Sequence, residues 1–299
     1  MSDVRVDEVV IVDWSASASP KLGKDSIWLA HVDAGAPPSL RALKNLATRA
    51  EAVSWLLAAF GEAKQRGRHL VCGFDFSFGY PAGYSELLRR AFAKEASGKT
   101  PFERVLSVTS ALIRDSSSND NNRFEVAALI NGRTKCALFW GHPPKRTYES
   151  LSPTKALPKG LSTNPLTPLR HTERSLAVKT NWQLAGAGAV GSQVLMGLPV
   201  LDQLWRSVTA PSLWPFEPHG LAADGGAVML AEVWPTMFTK GNKEGVIRDS
   251  WQVESTAIAL GSLHSSQWSE LLAPKAWEEL SPSEHDEVLG EEGWILGKT

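Results

Sequence analysis

Cysteine is scarce in this sequence, with two residues, Cys72 and Cys136, among 299. Two thiols cannot build a disulfide framework or a four-thiolate metal site. The sequence therefore excludes a disulfide-rich domain and a domain held together by a four-cysteine metal site. The histidines show neither HxH nor HxxxH spacing, and the sequence therefore predicts no zinc site. The histidines are His31, His69, His142, His171, His219, His264 and His285.

Long apolar runs are also missing. The N-terminal residues MSDVRVDE alternate in charge and lack the apolar core of a signal peptide. Elsewhere no uninterrupted apolar stretch approaches the ~20 residues that a membrane span requires. We therefore expect a cytoplasmic protein that does not enter a membrane.

An excess of one charge is absent as well, since 31 Lys and Arg face 32 Asp and Glu. Proteins that bind nucleic acid duplexes usually carry a basic excess, so this balance weakens a nucleic-acid hypothesis. The balance hides an asymmetry, because residues 144–179 are mainly basic and residues 270–299 mainly acidic. A basic strip beside an acidic site suits an anionic substrate and a metal, although two differently solvated surfaces are the alternative. The basic residues of the strip are Lys145, Arg146, Lys155, Lys159, Arg170, Arg174 and Lys179.

What the sequence does contain is the composition of a globular protein, with 43% hydrophobic and 21% charged residues. The β-branched run Val9–Val12 predicts a buried strand that ends at Asp13. Residues 26–32 predict a second strand, and the turn residues between the two predict a hairpin. A weaker third strand is predicted at residues 40–43.

A helix is predicted from an N-cap at Thr48 to about Arg66, with Gly67 as its stop signal. The strand predicted at residues 69–75 again ends in an aspartate, Asp75. Residues 83–190 are interpreted as a large insertion, helical in pieces and then loop-like from 141 to 181. A helix at 192–205, a strand at 227–234 and helices at 245–260 and 267–272 complete the prediction.

This order of elements predicts an α/β fold in which helices cover a mixed sheet. A hairpin, a third strand, a helix and a further strand in that order are typical of the ribonuclease H-like fold. We expect one domain over residues 1–299 that carries the insertion at about 83–190.

Asp13 and Asp75 are the first candidate site residues, because each ends a buried strand. A carboxylate there is costly unless it is paired, hydrogen-bonded or bound to a metal. If the two strands are parallel neighbours, both carboxylates reach one edge of the sheet and provide the ligands that Mg²⁺ or Mn²⁺ prefers. The alternative is that each aspartate caps a turn or a helix.

Further acidic candidates lie on the late strand and in the C-terminal segment. Glu232 interrupts the apolar run VMLAEVW near the end of a predicted strand, where a solvent-facing glutamate is the alternative. Asp286 and Glu291 are candidates for a last metal ligand, and most C-terminal acids are expected to form a solvated face.

Candidate substrate contacts are basic or polar. Asn122 and Arg123 precede a predicted helix, where the asparagine fits a cap and the arginine fits a phosphate contact. Lys145, Arg146 and Lys240 are further candidates, with surface solvation as the alternative for each. The run Gly186–Gly191 matches GxGxxG but follows no convincing strand, so a loop before a helix is favoured over a dinucleotide site.

Several segments together resemble a bacterial family of uncharacterised proteins that are described as predicted nucleases with a ribonuclease H fold. The likeness follows the chain in order over most of its length. The segments are VVIVDWSAS, HLVCGFDFSFGYP, DNNRFEVAALIN, WQLAGAGAVGSQVLMGLPVL, LAEVWPTMF and EEGWILG.

The resemblance implies a nuclease in which acids of the first strand, the fourth strand and the last helix bind two metal ions. Asp13 matches the first-strand position and Asp75 the fourth-strand position. Asp286 or Glu291 would supply the last acid, and Glu232 has no counterpart.

Three functions follow from these observations. The leading hypothesis is phosphodiester hydrolysis with Mg²⁺ or Mn²⁺, acting on a nucleic acid or a nucleotide. Members of the subfamily are also labelled molybdopterin-guanine dinucleotide synthesis proteins, which implies an assembly protein that binds a guanine nucleotide or a pterin. The glycine-rich loop and following lysine of a nucleotidyltransferase are absent from the N-terminus, however. The third hypothesis is a non-catalytic ribonuclease H-like binding module.

Overall fold

The strands form a mixed sheet of six in the computed structural model, which describes residues 4–222, 224–239 and 241–298. The strands are β1 (Glu8–Asp13), β2 (Ile27–Asp33), β3 (Ser39–Leu46), β4 (Leu70–Phe74), β7 (Ser212–Leu213) and β8 (Val228–Glu232). A separate small parallel pair is made by β5 (Cys136–Ala137) and β6 (Ser162–Thr163).

The order in the sheet is β3-β2-β1-β4-β8-β7. Strand β2 runs antiparallel to both of its neighbours, β1 and β3, whereas β1, β4, β8 and β7 run parallel to one another. The first three strands form the predicted hairpin and its extension. Helices lie in the connections that lead to β4 and from β4 to β7, whereas the described part of the connection between β7 and β8 contains no helix.

Helices cover the sheet, as the sequence predicts for an α/β protein. They are α1 (Arg49–Gln65), α2 (Tyr84–Ala91), α3 (Pro101–Leu112), α4 (Arg123–Thr134), α5 (Gly191–Trp205), α6 (Arg248–Gly261), α7 (Ser265–Leu272) and α8 (Pro282–Glu287). A π-helical turn, Val288–Glu292, continues α8, and 3-10 turns occur at His171–Glu173, Pro235–Met237 and Lys275–Glu279. None of the described helices combines the length and the apolar character needed to cross a bilayer.

Both faces of β1 are buried, which explains its continuous β-branched run. Val10 and Val12 pack into the core beneath α1, α3 and α5. Val9 and Ile11 pack into a second core beneath α6 and α7. Because side chains alternate between the faces of a strand, a continuous apolar run fits a strand that is covered on both sides.

The first helix follows its sequence signals closely. Thr48 has extended backbone and its side chain accepts a hydrogen bond from the backbone N–H of Glu51. Leu56 and Phe60 face the core. A threonine cap satisfies one backbone donor that the first turn leaves unpaired, and the apolar face supplies the packing.

The C-terminal segment after α8 threads back into the fold. The backbone N–H of Leu296 donates to the carbonyl of Glu232 at 2.8 Å, and Ile295 bridges the same strand. Gly79 lies directly against the carbonyls of Glu291 and Glu292, so that an added Cβ would overlap them. Residues 291–296 therefore close the sheet at the end where β4 and β8 finish.

Candidate functional site

Asp13 and Asp75 emerge at the same edge of the sheet. Strands β1 and β4 are parallel neighbours with Val12 opposite Phe74. The backbone N–H of Asp75 donates to the carbonyl of Val12 at 2.9 Å, which extends the pairing by one residue. The two strand-terminal carboxylates are thus side by side, in the arrangement that the sequence predicts for parallel neighbours.

A cleft of about 430 Å³ opens above these two residues. Four aspartates contribute to its lining, namely Asp13, Asp25, Asp75 and Asp249. Arg248 is the single basic side chain among the described residues that line the cleft. The opposite wall comes from Gly188, Ala189 and Val190, which lead into the N-terminus of α5. The cleft is therefore strongly acidic at its floor.

Asp249 is the acid that sequence reasoning missed. It lies in the first turn of α6, the helix that follows β8 and packs on β1 and β2. Its Oδ2 accepts a hydrogen bond from the backbone N–H of Asp25 at 2.7 Å. The available signal was an acidic residue at the start of the helix after the last core strand, within the helix predicted at 245–260.

The cleft raises the pKa values of its two innermost carboxyls. Burial is the main cause for Asp13, and the charges of Asp75, Asp249 and Asp25 add to it, so its pKa stands well above its ordinary value. Burial, Glu232 and Asp249 together raise the pKa of Asp75 to about 7. Like charges this close cannot all ionise without cost, so the group favours a proton or a bound cation.

Glu232 is near this cleft, but its carboxylate is already occupied. The Arg170 guanidinium donates to both of its oxygens, with distances of 2.8 Å from Nη1 and 2.5 Å from Nη2. The backbone N–H of Phe78 donates to Oε2 at 3.0 Å. Arg170 is fully buried and also binds Glu173 at 2.8 Å. Glu232 thus anchors the chain after β4 through a buried ionic network.

The two C-terminal candidates lie away from the cleft. Glu291 accepts hydrogen bonds from the backbone N–H groups of Gly83 and Ser85 at 3.0 and 2.5 Å, where α2 begins. Its carboxylate therefore serves the N-terminus of that helix. Asp286 is exposed on α8. Among the described residues, Asp249 takes the place beside Asp13 and Asp75 that was expected of Asp286 or Glu291.

Arg123 is a partly buried cation that forms no ion pair with a described carboxylate. It donates to Ser192 Oγ at 3.0 Å and to Asn121 Oδ1 at 2.7 Å, and its guanidinium stacks on Phe124 at 4.4 Å. Burial and the neighbouring Arg49 lower its pKa to about 10. Because Ser192 precedes the cleft-lining Gln193, Arg123 lies just behind the α5 wall of the cleft.

The other predicted substrate contacts do not line the cleft. Asn122 braces a turn, since its side chain accepts from the N–H of Arg114 at 2.7 Å and donates to the carbonyl of Leu112 at 3.0 Å. Arg146 pairs with Glu125 at 3.1 Å, and Lys145 is exposed. The prediction for Lys240 falls outside the described residues.

The basic strip of the sequence is therefore not one surface. Arg170 is buried within the sheet edge, Arg174 pairs with Glu284 at 3.2 Å, and Lys179 is exposed. Within the run Gly186–Gly191, residues 188–190 line the cleft and Gly191 begins α5, and no named strand leads directly into the run as a dinucleotide site would require.

A second arginine fixes the loop after Asp13. Arg49, the first residue of α1, is buried and donates from Nη1 to the carbonyls of Ser15 and Ser17 at 3.0 and 2.9 Å. Its charge is balanced by Asp115, with distances of 2.5 and 2.6 Å. This clamp sets the rim of the cleft, and a lone arginine after an N-cap gives no sequence signal for it.

Comparison with models of protein families, with curated proteins and with solved structures found no match to this chain.

Proposed function

We propose that this protein is a hydrolase that cleaves phosphodiester bonds with the help of Mg²⁺ or Mn²⁺. The observation that carries the proposal is the meeting of Asp13, Asp75 and Asp249 in one cleft at the carboxyl edge of the sheet. These acids come from three separate elements, β1, the end of β4 and the start of α6.

The donor set suits a hard cation. Carboxylate oxygens are the preferred ligands of Mg²⁺ and Mn²⁺. Burial and, second to it, repulsion between carboxylates raise the pKa values of Asp13 and Asp75, and a bound cation would offset both. The oxygens of the three acids do not form a group within 4.8 Å of one another. That spacing fits Mg²⁺, which keeps several water ligands and needs one or two carboxylates.

The sheet supports a ribonuclease H-like interpretation of this site. Its order begins β3-β2-β1-β4-β8, with an antiparallel part up to β1 and parallel strands beyond. The helix that carries Asp249 follows β8 and packs against β1. The resemblance implies metal ligands from the first strand, the fourth strand and the last helix. Asp13 and Asp75 match the first two positions, whereas Asp249 lies on α6, which α7 and α8 follow.

Different residues in and around the cleft would bind the cation, position the chain and contact the substrate. Asp13, Asp75 and Asp249 would hold the cation, directly or through its water ligands, and the cation would supply Lewis-acid stabilisation and a more acidic water. Glu232 and Arg170 position the chain that follows Asp75. Arg248 and the backbone before α5 face the place where an anionic substrate would lie, and helix N-termini favour anions.

The sharpest test compares Asp249→Asn with Asp286→Asn. The first variant removes a charge from the cleft, whereas the second removes one from an exposed position on α8. We expect Asp249→Asn to lower Mn²⁺-dependent cleavage of a fluorescent single-stranded oligonucleotide on the order of 100-fold or more, as for loss of one preorganised charge-stabilising group. Asp286→Asn should retain full activity.

Equal activity of the two variants would remove Asp249 from the mechanism. Cation binding without cleavage of any oligonucleotide, of either sugar type and strandedness, would favour the non-catalytic binding module. Heat on titration with GTP or with molybdopterin guanine dinucleotide, in the absence of cleavage, would favour the cofactor-assembly protein.

A further inference from the structure

A second cluster of metal-ligating side chains lies outside the cleft, where a 3-10 turn meets the C-terminal segment. His171 Nε2 is 2.8 Å from Glu287 Oε2 and 4.0 Å from Glu292 Oε2. One ligand atom from each of the three residues lies within 4.8 Å of the other two. No other group of three or more His, Cys, Asp or Glu side chains in the described chain is this close.

Local backbone structure brings the two glutamates together. Residues 288–292 form a π-helical turn that closes with a hydrogen bond from the N–H of Gly293 to the carbonyl of Val288 at 3.0 Å. Positions five residues apart face the same side of such a turn, which places Glu287 beside Glu292. Sequence spacing alone cannot reveal this cluster, because its histidine comes from residue 171.

The histidine provides an independent observation. Its side chain is 2% exposed, yet its Nδ1 has no hydrogen-bond partner. The nearest carboxylate oxygen on that side is Glu284 Oε1, at 3.6 Å. A metal-bound histidine commonly turns its other nitrogen towards a carboxylate, which fixes the tautomer and orients the ring. His171 is therefore oriented with one nitrogen towards two carboxylates and the other towards a third.

The charges around His171 favour a divalent cation. Three carboxylates surround the imidazole, from Glu284, Glu287 and Glu292. Glu292 Oε2 also accepts a hydrogen bond from the backbone N–H of His171 at 2.6 Å, and it would keep this bond while its remaining lone pair binds the cation. Arg174 balances one of them, since its Nη1 lies 3.2 Å from Glu284. Glu287 is 40% exposed, which leaves a path from solvent to the cluster.

We infer that His171 Nε2, Glu287 and Glu292 form a binding site for a first-row divalent cation, of which Zn²⁺ is the best fit. An imidazole ligand favours Zn²⁺ over Mg²⁺ and Ca²⁺. Ligand atoms about 2 Å from an ion lie roughly 3 to 4 Å apart, close to the distances in the cluster. The cation would tie the C-terminal segment to the turn that holds Arg170.

The test measures Zn²⁺ affinity by competition with a chromophoric chelator. The full chain with Asp13→Asn serves as the background, so that the aspartate cleft contributes little. We expect one Zn²⁺ per chain, and a visible absorption band for Co²⁺ bound in its place. Adding Glu287→Gln should weaken Zn²⁺ binding about 100-fold or more, and Glu284→Gln about 10-fold, as for loss of an outer partner.

Glu278→Gln is the matched control, because Glu278 is an exposed glutamate on the neighbouring 3-10 turn. It should leave Zn²⁺ affinity unchanged. The Tm of each variant is measured in EDTA, where loss of the Glu287 contact with His171 or of the Glu284 contact with Arg174 should lower it only slightly, so that a fall in Zn²⁺ affinity is distinguished from a loss of fold. Equal Zn²⁺ affinity in the Glu287→Gln and Glu278→Gln proteins would overturn the inference. So would failure of the background protein to bind Zn²⁺ or Co²⁺, which would identify the cluster as a histidine–carboxylate ion pair only.

Discussion

The two ends of strand β1 carry carboxylates in opposite surroundings. Glu8, at the start, is buried among basic side chains, with His31 Nε2 at 2.7 Å, Arg41 Nη1 at 2.9 Å and Arg68 Nε at 2.5 Å. Asp13, at the end, faces three further aspartates across the cleft. Burial alone would raise both pKa values, but the cations around Glu8 outweigh it and hold its pKa below the ordinary value.

This difference separates a structural carboxylate from a candidate ligand. The charge of Glu8 is already satisfied within the chain, so that the folded state is complete without a further partner. Asp13 and Asp75, in contrast, form no ion pair with a described basic side chain, so a proton or a cation from outside would satisfy them. An unpaired acidic cluster is costly to keep in a fold, and such cost is typical of functional sites.

The largest effect on stability is expected at Glu8, the ion-paired carboxylate at the start of β1. Glu8→Gln leaves Arg41 and Arg68 without their buried partner, and we expect the free energy of unfolding to fall by about 3 kcal/mol. Both arginines retain some exposure, 24% and 31% of their side chains, which keeps the loss at the lower end. Urea unfolding at pH 7 measures it. A change below 1 kcal/mol would show that the cations were not stabilised by Glu8.

At the acidic cleft, removing a carboxylate should instead raise the free energy of unfolding, and the size of this effect should depend on pH. Asp75 has a folded-state pKa of about 7 against an ordinary value of 3.8, so ionising it destabilises the folded chain increasingly as pH rises through that window. In EDTA, Asp75→Asn should therefore raise the free energy of unfolding at pH 8 by on the order of 2 kcal/mol, allowing for solvent screening.

The same substitution should change little at pH 4, where the carboxyl is protonated in the folded state. Urea titrations of both proteins across pH 4–8 give the comparison. Glu8 has the reverse sign, because its folded pKa is lowered and its contribution is lost as pH falls. Parallel pH profiles for Asp75→Asn and the unmodified chain would contradict the raised pKa of Asp75.

The smallest effect is expected at the mouth of the cleft. Arg248 is exposed and is the one cation that lines the cleft among the described residues. Arg248→Ala should raise KM for an oligonucleotide about 3- to 5-fold with little change in kcat, because an exposed charge contributes only modestly to the free energy of substrate binding. KM measured against salt concentration should lose about one unit of logarithmic slope. An unchanged slope would place the substrate elsewhere.

Local patterns predicted much of the fold. The β-branched run before Asp13, the Thr48 cap and the amphipathic face of α1 are short-range signals, and each is confirmed. The weak third strand extends farther than predicted, over Ser39–Leu46. Its backbone pairs with β2 along this length, and that pairing cannot be predicted from the residues of β3 alone.

The site was only partly predictable, because its assembly is tertiary. Asp13 and Asp75 were found from strand ends, which share an edge whenever parallel strands are neighbours. Asp249 lies on a helix whose approach to β1 no local pattern indicates. Arg170 resembles a surface residue of a basic strip, and only its contacts with Glu173 and Glu232 reveal a buried ion pair.

The threading of residues 291–296 has a consequence for biosynthesis. Glu292 accepts hydrogen bonds from the N–H groups of Ala82 and His171 at 2.8 and 2.6 Å, and the N–H of Ile295 donates to Thr172 at 3.2 Å. A nascent chain cannot make these contacts before residues 291–296 have left the ribosomal tunnel. The edge of the sheet that carries the cleft is therefore among the last parts of residues 4–298 to be completed during synthesis.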